Sequence, residues 1–276
     1  MPEGPLTEPT LALLRERLRA APAVLVSVDS TQGSVPREAG TWMAVFEDGV
    51  LGTIGGGHIE HEAIALGRAA LGGAPLTPQR RFALGPSLGQ CCGGVMHLGF
   101  EPVQPAGADA LAARLEAEHD ARRMPVALFG GGHVGRAIVR ALEPLPVRVQ
   151  WIDSRDEIFP EPLPTHVVAE HSAPVEAAVR DVAPGARVLV MSFSHAEDLE
   201  IVTACLKRLR ERDDLPFVGL IGSKSKWATF RHRLEARGFA ADEIARVTCP
   251  IGVPGVRGKE PEVIAAAVAA QLMQLR

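Results

Sequence analysis

Apolar and polar positions follow one rhythm in the first hundred residues and another after residue 124. From Thr10 to Ala20, Leu11, Leu14 and Leu18 recur at helical spacing and predict an amphipathic helix. Val24 to Val28 predicts a strand. Thr41–Phe46 and Val50–Ile54 predict two more, joined at Asp48-Gly49, a hairpin signal. Helical periodicity starts after Gly55-Gly56-Gly57 and runs from His58 to Leu71. Arg80–Leu84 and Val95–Glu101 read as further strands. Beyond Met124, short apolar runs at 125–129, 147–152, 166–169, 187–193, 217–221 and 246–249 alternate with helical stretches. Those stretches are 133–142, 174–182, 196–212, 224–237 and 260–275. Such alternation predicts a parallel sheet with helices on both faces. The expected class is α/β: a Rossmann-like, doubly wound C-terminal domain (124–276) and a smaller mixed α+β N-terminal domain (1–103). Residues 104–123 form the expected connector, a polar helix entered through Pro102 and Pro105.

The stretch that organises the second domain is Pro125–Phe129 followed by Gly130-Gly131-Gly132-His133-Val134-Gly135. This is G-x-G-x-x-G between a strand and a helix. Gly130 is expected to make the tight turn, Gly132 to let the backbone approach a ligand, and Gly135 to let the helix pack on the strand. The helix that begins at His133 presents unpaired N–H groups to an anion. The next strand ends in Asp153, where dinucleotide folds carry a ribose-binding carboxylate. A bare glycine turn without a ligand has the same local pattern. Thr53-Ile54-Gly55-Gly56-Gly57-His58 repeats the arrangement of strand, three glycines and histidine, and supplies a second candidate anion site.

Other candidates lie in loops. Arg37, within Gly33-Ser-Val-Pro-Arg-Glu-Ala-Gly40, suits a phosphate clamp or is a surface arginine in a turn. His58 and Glu62 share a helix face, as metal ligands or as a solvated pair. Cys91 and Cys92 stand between glycines whose N–H groups favour a thiolate, which ligates a soft metal or attacks an electrophile, or they are two small apolar residues in a turn; Cys92, next to Gly93-Gly94, is the better metal ligand. Ser194 or Asp198 is placed to cap a helix, with His195 reaching the ligand crevice. Ser223 and Lys224, after the fifth strand of the domain, suit a phosphate.

Composition narrows the classes. A net charge of −4 gives no basic field for nucleic acid. No apolar run approaches the roughly 18 residues of a membrane span, and no signal-peptide pattern opens the chain. The four cysteines form neither a disulfide framework nor a zinc pattern, which fits a reducing cytoplasm.

Seven ordered motifs carry a resemblance. Gly33-Ser-Val-Pro-Arg37, Gly52-Thr-Ile-Gly-Gly-Gly57, Cys91-Cys-Gly-Gly94, Gly130-Gly-Gly-His-Val-Gly135, Ser194-His-Ala-x-Asp198, Leu220-Ile-Gly-Ser-Lys224 and Cys249-Pro-Ile-Gly252 are similar to those of the XdhC/CoxI family. The ending Gly258-Lys-Glu-Pro-Glu262 resembles its XdhC branch more than its CoxI branch. The resemblance implies a chaperone of the molybdenum cofactor (molybdopterin). Such a protein shields the cofactor, supports its sulfuration by a cysteine desulfurase and inserts it into xanthine dehydrogenase without staying in the mature enzyme. It implies binding by the glycine loops and the Cys91-Cys92 stretch; a homodimer is expected on base rates for soluble oligomers. Taken without the resemblance, the residues leave open an NAD-dependent oxidoreductase, with Asp153 favouring NAD over NADP, or a nucleotide-binding regulatory or cytidylyl-transfer module. His195 and Lys224 are candidate catalytic groups there without identified partners.

Overall fold

A computed structural model describes residues 8–84 and 93–276. The chain divides into two units, Met1–Ala121 and Arg122–Arg276.

In the first unit the order is α1 (Glu8–Ala20), β1 (Ala23–Gln32), β2 (Trp42–Val45), β3 (Val50–Gly52), α2 (Gly57–Leu71), β4 (Gln79–Ala83), β5 (Val95–Val103) and α3 (Ala108–Arg122). The five strands form an antiparallel sheet in the order β3-β2-β1-β5-β4. Alternation along β1 explains its two-sided burial. Leu25 faces α1 and α3 with Leu11, Leu14, Leu18, Leu111 and Leu115. Val24, Val26 and Val28 face the opposite side, where Ile59 and Ala63 of α2 cover them. The helix expected as a connector therefore also packs: Leu111 and Leu115 of α3 are buried in this unit's core. Its alanine-rich sequence gave that face little contrast.

The second unit runs β6 (Met124–Phe129), α4 (His133–Leu142), β7 (Val147–Asp153), β8 (Val167–His171), β9 (Arg187–Val190), α5 (His195–Arg212), β10 (Phe217–Leu220), α6 (Lys224–Ala236), α7 (Ala241–Ile244), β11 (Val247–Thr248) and α8 (Pro261–Gln274). All six strands are parallel, in the order β11-β10-β9-β6-β7-β8. The order reverses between β6 and β9, which places the ligand crevice of such a sheet at their carboxyl ends. Apolar residues of α4 and α8 cover one face with Val126, Leu128 and Trp151. Those of α5 and α6 cover the other with Phe129, Val190 and Leu220. The helix expected over 174–182 is a 3-10 helix, Val175–Arg180, entered at Pro174. The four-residue α7 lies below the length at which periodicity is readable.

Candidate functional site

In the first unit, the Arg37 loop lies on the glycine turn that opens α2. A Cβ added to Gly55 would sit 2.8 Å from Pro36 Cβ and 3.2 Å from Arg37 Cγ, so only glycine lets the loops touch. Gly94 closes against the same loop, donating its N–H to Ser34 O at 3.1 Å. Arg37 is exposed, and a Cβ on Gly56 would meet nothing within 4 Å. The turn is braced from inside. Glu60 Oε2 accepts the N–H of Ile54 at 2.9 Å and of Gly56 at 3.0 Å, together with the Thr53 hydroxyl. Glu62 pairs with Arg80 at 2.9 Å and approaches His58 at 3.9 Å, so the solvated-pair alternative describes that face. Cys91 and Cys92 lie outside the described residues.

In the second unit the three fingerprint glycines have different physical tasks. Gly130 has φ +128°, and a Cβ there would lie 2.0 Å from Met191 O. At Gly135 a Cβ would lie 2.1 Å from Gly130 O, which also accepts the Trp151 indole N–H at 2.9 Å. These two positions hold the turn that joins β6 to α4. Gly132 caps α4 with an ordinary φ of −69°, and a Cβ there meets nothing within 4 Å. It is the member of the set whose open side faces no protein. His133 follows it, exposed.

Asp153 is buried, and its carboxylate accepts four hydrogen bonds. Gly131 N–H reaches Oδ2 at 2.6 Å, Arg155 Nη2 reaches Oδ2 at 2.9 Å, and Arg155 N and Nε reach Oδ1 at 2.9 and 2.8 Å. Burial alone would raise this carboxyl; the Arg155 guanidinium and the Gly131 and Arg155 N–H groups outweigh it and hold it below its ordinary value. A carboxylate offers about four lone-pair positions. Asp153 therefore braces the glycine loop, as Glu60 does in the first unit.

The remaining expected residues are placed less centrally. His195 opens α5, exposed, with its ring edge-on to Phe230 at 6.4 Å. Ser194 accepts the Glu197 N–H at 3.2 Å and is the helix cap. Ser223 accepts the Lys226 N–H at 3.1 Å, which commits its hydroxyl to capping α6. Lys224 is exposed. The lysine turned inward is Lys226. Its ammonium donates to Asp198 Oδ2 at 2.6 Å and to Ile221 O at 2.9 Å, and Asp198 also accepts both the N–H and hydroxyl of Ser192. Spacing held the signal: Lys226, Phe230 and Leu234 recur every fourth residue, and the last two are buried. Cys249 Sγ adjoins this pair across Gly222, where an added Cβ would lie 3.4 Å from the sulfur. Burial raises its thiol, Lys226 draws it down, and Asp198 raises it. Among the described residues, no group of three or more metal-ligating side chains converges.

Family comparison matches both units. The XdhC Rossmann domain matches residues 126–272, and the XdhC and CoxI family matches residues 17–82. The chain belongs to the XdhC/CoxI family. An uncharacterized protein, YqeB, of Escherichia coli (strain K12) is 28% identical over 261 residues. That alignment takes in 92% of this chain and 44% of YqeB, so the chain spans less than half of that relative. A crystal structure of a xanthine dehydrogenase from Bacillus halodurans superposes with a TM-score of 0.72 at 18% identity, covering 96% of this chain and 95% of the other. That likeness is one of fold. Among the described residues, no helix is long and apolar enough to cross a membrane.

Proposed function

We propose that the chain is an accessory factor of xanthine dehydrogenase that carries the molybdenum cofactor. It shields the cofactor, presents it to a cysteine desulfurase and passes it to the enzyme in the cytoplasm, working as a homodimer. Family membership along both units is the observation that carries this reading. The first unit offers such a cofactor an anion site. Arg37 is exposed beside the glycine turn, and a helix start such as that of α2 favours an anion. Glu60 keeps that turn in shape from within. The cofactor itself supplies redox and oxo-transfer chemistry; the chain binds it, orients it and keeps water and oxygen away. Cys92 is the proposed thiol partner of the metal. The oxidoreductase alternative drew on Asp153 as a ribose acceptor, and that carboxylate is filled by Gly131 and Arg155.

The test is the full chain purified anaerobically from molybdenum-replete cells. Molybdenum and oxidised-pterin fluorescence are measured per protein for wild type, Arg37→Ala, Cys92→Ala and Cys205→Ala, the last a buried cysteine of α5. Loss in the first two variants with retention in Cys205→Ala is expected. Wild-type protein free of pterin and metal refutes the carrier reading, and bound NAD instead establishes the alternative.

A further inference from the structure

The loops after β7 and β9 meet across β6, the strand between them. Ser154, just past β7, donates its hydroxyl to Glu197 Oε1 at 2.7 Å, in the first turn of α5. The Arg155 guanidinium lies 4.6 Å from the centre of the Phe193 ring. These contacts stand at the switch point of the sheet, where a doubly wound fold takes its ligand.

Two carboxylates serve this place, and they differ in what they have left to offer. The acceptor positions of Asp153 are filled. Glu197 is half satisfied: Oε1 takes the Ser154 hydroxyl, while Oε2 is enclosed and has no hydrogen-bond partner among the described residues. An enclosed polar oxygen without a donor is costly to keep. Phe193, which carries Arg155 on its ring, is 69% exposed, an aromatic face past the carboxyl end of β9. Gly132 leaves open space at the start of α4, where the first-turn N–H groups favour a phosphate.

We propose that Glu197, and not Asp153, is the carboxylate that receives the donors of a bound ligand in this unit. The ligand is a phosphorylated fused N-heterocycle. Its ring lies on the open face of Phe193, its ring N–H or hydroxyl donors pair with Glu197 Oε2, and its phosphate meets the start of α4. Oε2 has no exposed surface, so binding requires the Glu197 side chain to turn toward the ligand. A pterin and a purine nucleotide share this chemistry; in the pterin arm the inference rests on the carrier reading, and in the nucleotide arm it stands alone.

The full chain is titrated anaerobically with two probes, NADH and molybdenum cofactor released from a molybdoenzyme. Wild type is compared with Glu197→Gln and Phe193→Leu. In Glu197→Gln the Ser154 contact keeps its oxygen, and an amide donor then confronts the ligand donor. That variant is expected to bind the active probe at least about tenfold more weakly. Phe193→Leu is expected to weaken it about fivefold through lost stacking. Melting of the ligand-free protein stays near wild type in both. Cofactor bound equally by wild type and Glu197→Gln ends this inference and leaves the carrier reading intact. NADH bound by wild type and lost in Glu197→Gln, with no cofactor bound, supports the inference and ends the carrier reading. Neither probe binding wild type overturns it.

Discussion

Alanine substituted at Gly132 and at Gly135 should separate ligand approach from packing within one fingerprint. At Gly135 the new Cβ would stand 2.1 Å from Gly130 O, about 1 Å inside a tolerable contact, and the obstacle is backbone rather than a pliable side chain. Helix α4 must move off the turn. Forced overpacking costs about 1–3 kcal/mol, and disturbing the 2.9 Å Trp151–Gly130 hydrogen bond costs about 1 more. The better helix propensity of alanine returns about 1 kcal/mol. The net expectation is a loss of about 1–3 kcal/mol, toward the upper end because both obstructing atoms are main chain. At Gly132 no atom lies within 4 Å of the new Cβ and φ is −69°, so the cost is only that of a poorer helix cap, about 0.5–1 kcal/mol. Urea unfolding at pH 7 reads both. A Trp42→Phe background makes Trp151 and Trp227 the reporters of the second unit; the Trp42 indole nitrogen has no hydrogen-bond partner among the described residues to lose. Ligand retention is measured beside it: Gly132→Ala should bind more weakly while staying folded. Equal destabilisation of the two variants would refute this division of labour.

Lys226→Met removes the cation from a nearly enclosed ion pair and should cost about 3 kcal/mol, whereas the Lys226→Met/Asp198→Asn double variant should recover part of it; a single-variant loss under about 1 kcal/mol in denaturant titrations would contradict the burial argument. Asp153→Asn should destabilise the second unit by about 2 kcal/mol at neutral pH. Because the folded carboxyl titrates below its ordinary value, its contribution is complete above about pH 4 and is lost as pH falls through the folded value. The gap to wild type should therefore narrow only below about pH 4, and a gap that closes between pH 7 and 5 would be the wrong sign of evidence. Burial pushes the Cys205 thiol up to about 12, so peptide mapping after maleimide treatment at pH 8 should find it unlabelled in native protein and labelled in urea; native labelling would show that α5 opens.

The sequence by itself determined the elements and the glycine turns. Period-two and period-four patterns are local, so the strands flanking Asp48-Gly49 and helices such as α1, with Leu11, Leu14 and Leu18 inward, follow from side-chain spacing alone. Gly130 and Gly135 were legible because a missing side chain answers a local steric demand, which the 2.0 and 2.1 Å approaches display. Tertiary structure decided which polar groups remain available to a ligand. Asp153 stands where a ribose acceptor belongs, yet Gly131, 22 residues earlier, and Arg155, just after it, consume its lone pairs. Lys226 rather than Lys224 turns inward because Asp198, 28 residues away on another helix, waits beneath it. Among the described residues Glu197 keeps one oxygen without a hydrogen bond, because the Ser154 hydroxyl from across β6 meets Oε1 and the nearby Arg155 guanidinium is turned to Asp153. Hydrogen-bond capacity is a property of residue type, but its occupancy depends on donors brought together from distant segments, and that information exists only once the chain has folded.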